Sequence, residues 1–442
     1  MALVAAALAA YVAWTPASER RLNVILVSID TLRADHLGCY GYDRPTSPRI
    51  DAFAREAVLF EQTIAAAPST LASHASMLTG LITPHHGASF LHRTLLAPQR
   101  LTLAEILRGH GYATQSWNGG AQMDRLWGLD QGFEQYRSFA TLGSPSPIDR
   151  FETTVAAALD WLDGRTDRRP FFLFLHTYEV HHPYTPDPEL RVLFGTFPTR
   201  LGNDVSLLDL RRFNSGAWPL ERGDLEHIVA SYDAEIRSVD RAFGHLIEGL
   251  RERRLIESTL VVLTSDHGEE FAEHGLVGWH SHTLFDELLH VPLIVRLPGG
   301  AYGGVRVSAQ VRGFDVAPTI LDTLGITPPA VFEGRSLLRI VGSPGLRDEL
   351  PALSALDGAE PFALRSGGWK WISSGGLYDL RADPGELHNL RREGRTMRAR
   401  YRAMRQSAHE WLELRPEDLG PPLPRSFEDT LQERLRALGY VE

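Results

Sequence analysis

Cysteine and lysine are nearly missing from this chain. One cysteine, Cys39, in 442 residues excludes an intrachain disulfide, so no disulfide framework can organise the fold or reveal the compartment. Lys370 is the single lysine, and every other basic side chain except histidine is arginine. That bias fits a GC-rich genome, and it excludes any site built on a lysine pair. Positive charge is also in deficit, with a formal net charge of −10, which argues against non-specific nucleic-acid binding. Long apolar runs are lacking too. Residues 2–14 form a 13-residue apolar stretch, too short for a membrane span, of the right length for a signal-peptide core, and without the usual preceding positive charge. The expectation is that 1–21 is a signal peptide or short anchor, that the protein is exported to the periplasm or beyond, and that any membrane association is weak and N-terminal.

What is present is an ordinary apolar content of 43%, enough for one large domain and a smaller one. Apolar, β-branched runs at 23–29, 170–176 and 259–264 read as buried strands. Between them, residues 50–57, 101–109, 151–162 and 225–253 carry apolar positions at helical spacing. This βαβ alternation predicts a mostly parallel sheet with helices on both faces. Segments 137–149 and 197–219 read as irregular, the second as an insertion rimming a cleft. Beyond about 340, residues 362–371 and 377–380 read as short antiparallel strands and 397–414 as a helix.

Three strand ends deliver chemistry-bearing groups, and ligands of open α/β sheets collect at carboxyl ends of strands. The first run ends in Asp30, followed by Thr31; the 259–264 run leads to Ser265-Asp266-His267-Gly268-Glu269-Glu270; the 170–176 run leads through Thr177 to His181-His182-Pro183-Tyr184. Taken singly, each has a bland reading. Asp30 could cap a turn, Thr70 could cap a helix starting near Leu71, and His74 could be a packed histidine one turn along it. His182 is expected to point away from His181. His280 and His282 would share one face of an extended segment or lie in a solvated loop. Glu269, Glu270, Glu273 and His274 are expected to begin a solvated helix, and Cys39 to be a small buried residue in a Gly-Cys-Tyr-Gly turn.

The segment Pro68-Ser69-Thr70-Leu71-Ala72-Ser73-His74, running on to Leu78-Thr79-Gly80, resembles the signature of the sulfatase family in the alkaline phosphatase superfamily. Thr70 occupies the nucleophile position, where a cysteine or serine is normally converted to formylglycine, and His74 replaces an arginine. Asp266-His267-Gly268 resembles the family's metal motif, and His181-x-Pro-Tyr its substrate-facing histidine. The resemblance implies a three-layer α/β/α sandwich of alkaline phosphatase type over 22–340 and a small C-terminal α+β subdomain over 341–442. It also implies one divalent cation, Zn²⁺, Mn²⁺ or Ca²⁺, held by Asp30, Thr70, Asp266 and His267. His181 and His74 are the implied catalytic partners of Thr70. His280, His282 and Asn118 fall near positions that bind sulfate in the family. Thr31 stands where sulfatases have a second acid, and Thr177 where two-zinc superfamily members have the aspartate of Asp-x-x-x-His, so a single cation is expected.

Threonine cannot give the formylglycine aldehyde. The implied activity is therefore hydrolysis of phosphate monoesters or diesters, or of sulfate esters, through a metal-bound Thr70. The substrate would be a small-molecule, glycan or lipid ester. Two alternatives accompany it: a phosphoglycerol- or phosphoethanolamine-type transferase acting on envelope glycans, and a non-catalytic glycan-binding relative.

Overall fold

Strand β1 (Asn23–Ile29) is buried along its whole length, which only a central strand covered on both faces can satisfy. Its side chains alternate between two apolar layers: Val24 and Leu26 enter one core cluster, and Ile25, Val27 and Ile29 the other. The computed structural model describes residues 22–138, 150–343, 350–414 and 423–424. The other strands of the main sheet are β2 (Val58–Ile64), β3 (Ala113–Asn118), β4 (Gln135–Ser138), β5 (Phe171–Thr177), β6 (Thr259–Thr264), β7 (His290–Arg296) and β8 (Arg306–Arg312). Their spatial order is β8-β2-β7-β6-β1-β5-β3-β4. Only β7 runs against its neighbours, β2 and β6; the remaining pairings are parallel. Pro292, which has no N–H to give, falls where the β7–β2 register shifts.

Helices cover both faces. Helices α1 (Pro48–Ala54), α2 (Thr70–Thr79), α3 (Leu103–Gly109), α4 (Phe151–Asp163), α5 (Leu207–Asn214), α6 (Arg222–Glu252) and α7 (Val316–Thr323) divide between them, and α8 (Gly394–Glu413) lies in the C-terminal part. Leu71, Leu103 and Ile320 place α2, α3 and α7 on one face. Phe53, Val155 and Phe243 place α1, α4 and α6 on the other. This is the three-layer architecture expected from the βαβ pattern. Because β1, β2, β3, β5 and β6 share one direction, their carboxyl ends share one edge. The chain just beyond that edge carries Asp30, Thr70, Asn118, His181 and Asp266.

A separate antiparallel sheet of β9 (Ala352–Leu356), β10 (Ala359–Ser366), β11 (Trp369–Ile372) and β12 (Gly376–Asp379) follows, with α8 packed on it through Tyr401 and Met404. Lys370, almost fully buried, reaches back to Asp286 at 2.8 Å and Glu386 at 3.0 Å. The chain's one ammonium thus docks this sheet and is not free for a substrate. The β9–β10 turn also enters the main domain. Asp357 holds a left-handed φ of 51° and its buried carboxylate accepts from Ser69 Oγ, Ser89 Oγ and the amides of Phe90 and Leu91.

Four expectations need correction. Arg137 and Ser138 belong to β4, because parallel pairing with Trp117 and Asn118 supplies order that local pattern did not show; 139–149 lie outside the described residues. Segment 197–219 contains α5, whose Ser206–Asp209 capping box was legible in the sequence. That insertion packs against the strand at Val277–Trp279, with Asn214 paired to Val277 through both its amide oxygen and nitrogen. Glu269 and Glu270 do not open a solvated helix: both are fully buried, and Glu270–Phe271 pairs antiparallel with Val277–Trp279. Cys39 is only half-buried, with burial and Asp51 pushing its thiol far up, so it is no nucleophile. The expected leader at 1–21 lies outside the described residues, and among those described no helix is long and apolar enough to cross a membrane.

Two stability tests follow from this frame. Asp357→Ala strands several buried donors around the start of α2, and a loss of about 3 kcal/mol is expected from denaturant unfolding, against less than about 1 kcal/mol for an exposed acid such as Asp43→Ala. Burial holds His86 down to about 3, with Nδ1 accepting from Ala88 N–H and Nε2–H facing the Ala72 carbonyl. The unfolded chain protonates this histidine first, so its contribution is complete above about pH 6.5 and is lost as pH falls toward 3. Thermal midpoints measured from pH 7 to 4 should fall less steeply in His86→Gln than in the wild type.

Candidate active site

Thr70 is the first residue of α2, and Ser69, extended at φ −146°, precedes it as N-cap. The cap residue is thus Ser69 rather than Thr70, and its hydroxyl turns away to Asp357 at 2.9 Å. This frees the Thr70 hydroxyl, which donates to Asp30 Oδ2 at 3.2 Å. The rest of α2 is clamped from several sides. Ser73 Oγ donates to the Asp266 carbonyl at 2.7 Å, and Leu71 N–H to Gln122 Oε1 at 3.2 Å. His74 donates from Nδ1 to the Thr70 carbonyl at 2.8 Å and accepts from Ser28 Oγ at Nε2 at 2.9 Å. Both His74 nitrogens are therefore used internally, and burial lowers its pKa to about 4. It positions the start of α2 as a neutral ring, where a catalytic or anion-contacting role was expected.

Asp30 follows β1 and Asp266 follows β6, and these strands are neighbours in register at Ser28 and Thr264. Both carboxylates and His267 are fully buried, with ligand atoms within 4.8 Å of one another. Asp30 Oδ1, Asp266 Oδ2 and His267 Nε2 make no hydrogen bond, although buried polar atoms are ordinarily paired. Burial raises Asp30 to about 6, and burial together with Asp30 raises Asp266. For His267 burial opposes the charged form, but Asp266 and Asp30 outweigh it and raise the imidazole. Its Nδ1–H is given to the Gly268 carbonyl at 2.9 Å, so Nε2 carries the lone pair. Two carboxylates, one such imidazole and a hydroxyl form an O₃N donor set that fits a divalent cation.

The expected second acid is absent, and the loop shows what replaces it. Thr31 adopts a left-handed φ of 55°, which turns the chain directly after Asp30. Its amide points to Asp266 Oδ1 at 3.4 Å, and its carbonyl accepts from Tyr232 of α6 at 2.7 Å. His176, at the end of β5, was missed in the sequence. Its Nδ1 accepts from Gly119 N–H at 3.3 Å, so its Nε2–H faces Asp30 Oδ2 at 3.4 Å and holds that carboxylate.

On the other side stand His181 and His280, their ring centres 4.8 Å apart, with His280 4.6 Å from His267. His182 does not point elsewhere: its ring lies 4.1 Å from that of His181 and stacks on Trp279. Fully buried Glu269 accepts from His280 Nδ1 at 2.9 Å, His182 Nδ1 at 3.3 Å and Tyr184 OH at 3.1 Å. Burial opposes the Glu269 charge, but His280 and His182 prevail and hold the carboxyl well below the usual range. Two substrate-binding expectations are not met. His282 is drawn away to Glu270 at 2.9 Å. Asn118 is taken up by a turn, accepting from Gly120 N–H and Ser138 Oγ.

The family model for sulfatases matches residues 22–326. An ulvan-active sulfatase of Formosa agariphila is 24% identical over 361 residues, covering 75% of this chain and 67% of that protein. The multifunctional alkaline phosphatase superfamily protein PehA of Trinickia caryophylli is 26% identical over 474 residues, covering 84% of this chain and 91% of its own length. Among solved structures, the phosphonate monoester hydrolase of Agrobacterium radiobacter is similar at a TM-score of 0.70 and 21% identity, over 92% of this chain and 100% of that one. With more than half its length matched by the family model and the same fold, the chain belongs to the sulfatase family of ester hydrolases.

Proposed function

We propose that this family member is a metal-dependent phosphoester hydrolase in which the unmodified Thr70 hydroxyl is the nucleophile. The observation that carries the reading is the 3.2 Å hydrogen bond from Thr70 Oγ1 to Asp30, beside three buried donor atoms without hydrogen bonds on Asp30, Asp266 and His267. A divalent cation held by these four residues would lower the pKa of the threonine hydroxyl and withdraw charge from the ester.

The chain's own groups do the remainder. Asp30 Oδ2 already accepts a hydrogen bond from the Thr70 hydroxyl, which sets the nucleophile's orientation. The N-terminus of α2 brings the positive end of a ten-residue helix to the attacked centre. His181, buried and held from charging by burial, His182 and His280, stands on the other side of His267 as the group beside the leaving oxygen.

Phosphorus suits this arrangement better than sulfur. A phosphothreonine is released by water attacking phosphorus, whereas a sulfothreonine has no geminal hydroxyl through which sulfate could be expelled. The absence of a free lysine pair points the same way, since the single lysine is held by Asp286 and Glu386. The names of the relatives, which include sulfatases and a phosphonate monoester hydrolase, support esters of tetrahedral oxyanions as the substrate class. Export rests on the apolar stretch at 2–14 alone.

Thr70→Ala should lower kcat for an aryl phosphodiester by at least about a thousandfold while the fold persists by circular dichroism; turnover within tenfold of wild type would contradict the assignment. An acid quench during turnover, followed by peptide mass mapping, should find a phosphoryl adduct on Thr70 that is plain phosphate from an aryl phosphate and keeps the second alcohol of a phosphodiester. Chelation should abolish activity. Zn²⁺ or Mn²⁺ should restore it better than Ca²⁺, because an imidazole sits in the donor set; recovery best with Ca²⁺ would count against the proposed ligands.

A further inference from the structure

Positive charge is concentrated in one place on this acidic chain. Residues 391–405 hold seven arginines and one acid, Glu393, a net of +6 where the whole chain carries −10, which leaves −16 for the rest. Helix α8 (Gly394–Glu413) starts within this stretch. Steps of three and four residues put Arg395, Arg398, Arg402, Arg405 and His409 along one side of it, while Tyr401, Met404 and Ala408 on another side pack against the small sheet. All five side chains of that stripe are exposed. Among the described residues none of its four arginines pairs with an acid, whereas Arg251, Arg253 and Arg312 hold Glu56, Asp163 and Asp315. A composition rich in arginine explains how many there are and not why these gather unpaired.

The fold draws no benefit from the order of charges on α8. Like charges three and four residues apart repel one another. Arginines crowd the N-terminal half, with no acid in the first turn, and Glu410 and Glu413 stand near the C-terminus, so both groups oppose the helix dipole. The packing of Tyr401, Met404 and Ala408 holds the helix in place against that cost. An anion outside the protein relieves the repulsion and the dipole mismatch together.

We propose that this side of α8 docks the protein on an anionic lipid bilayer, its guanidinium groups binding headgroup phosphates. The planar fork of arginine matches phosphate oxygens in pairs, and a cluster of this size on one helix is what anionic headgroups attract. Leu387 and Leu414, 68% and 74% exposed, bracket the basic stretch in the chain. An apolar side chain gains from entering the bilayer interface and nothing from a soluble polyanion, which favours lipid over an acidic polymer. The rest of the chain, at −16, is repelled by the same surface, so contact is confined to this helix. Membrane association was expected only from the N-terminus; α8 supplies a surface that does not involve it. The inference stands apart from the Thr70 reading, because docking is measured without turnover.

The test is co-sedimentation of the full-length protein with vesicles of phosphatidylglycerol mixed equally with phosphatidylcholine, and with vesicles of phosphatidylcholine alone. The comparison variant combines Arg395→Gln, Arg398→Gln, Arg402→Gln and Arg405→Gln, with circular dichroism confirming its fold. At low salt the wild type is expected to bind the mixed vesicles at least about a hundredfold more tightly than the variant, at about fivefold for each arginine near the surface. It should be released in about 1 M salt, where charge is screened within about 3 Å. No binding of the wild type to mixed vesicles at low salt overturns the proposal whatever the variant does. Equal binding to phosphatidylcholine alone overturns it too, since that is apolar anchoring, and so does binding that the variant retains. Soluble polyphosphate that, at matched phosphate concentration, binds the wild type more tightly than the mixed vesicles do would assign the stripe to an acidic polymer and overturn the lipid assignment.

Discussion

Asp30 and Asp266 are carried to the same edge of the sheet by β1 and β6, hydrogen-bonded neighbours in parallel register, and both are shut away from water. At a separation near 4 Å and an effective dielectric of about 20, two such charges repel by roughly 4 kcal/mol. Burial raises Asp30 to about 6, and burial together with the Asp30 charge raises Asp266. His267 offsets part of the repulsion, and the other two histidines beside the pair do not. His74, at the position where the family carries an arginine, stays uncharged because burial outweighs its neighbours, and burial keeps His176 down at about 4. A guanidinium in place of His74 would cancel part of the negative charge. A neutral ring leaves that charge for a cation.

Thr70 is likewise placed by hydrogen bonds that hold its helix. Thr70 takes its direction from a helix gripped by His74, Ser73, Gln122 and His86 from the main domain, and by Asp357 from the small sheet. That last contact makes the C-terminal sheet part of the active site's scaffold. Lys370 secures the same sheet to the short helical turn that precedes β7. Fold and chemistry therefore share supports: a change that loosens the small sheet also loosens the N-terminus of α2.

The main sheet was legible because β1, β5 and β6 are buried on both faces and so appear as continuous apolar runs. Asp30, Thr70, Asp266 and His267 were legible because each follows directly on a strand end or opens a helix within a recognisable motif. What escaped was whatever depends on distant pairing. Glu269 and Glu270 resemble a helix start in sequence, and only the strand at Val277–Trp279 shows them to be buried. His182 gives no local sign that Trp279, nearly a hundred residues later, will stack on it. Asp357 lies in a turn whose sequence says nothing of Ser69. Asn118 and His282 were assigned by position within a family pattern; a turn hydrogen bond diverts the first and pairing with Glu270 the second.

The central claim is that an unmodified threonine beside a cation makes this family member a phosphoester hydrolase. It is tested most directly by steady-state hydrolysis of matched aryl phosphate, aryl phosphodiester and aryl sulfate substrates by metal-refilled protein. The account predicts that kcat/KM is highest for one of the two phosphorus esters. Preferential hydrolysis of the aryl sulfate would contradict it, because a sulfothreonine at position 70 would then have to turn over without the geminal hydroxyl that its release requires.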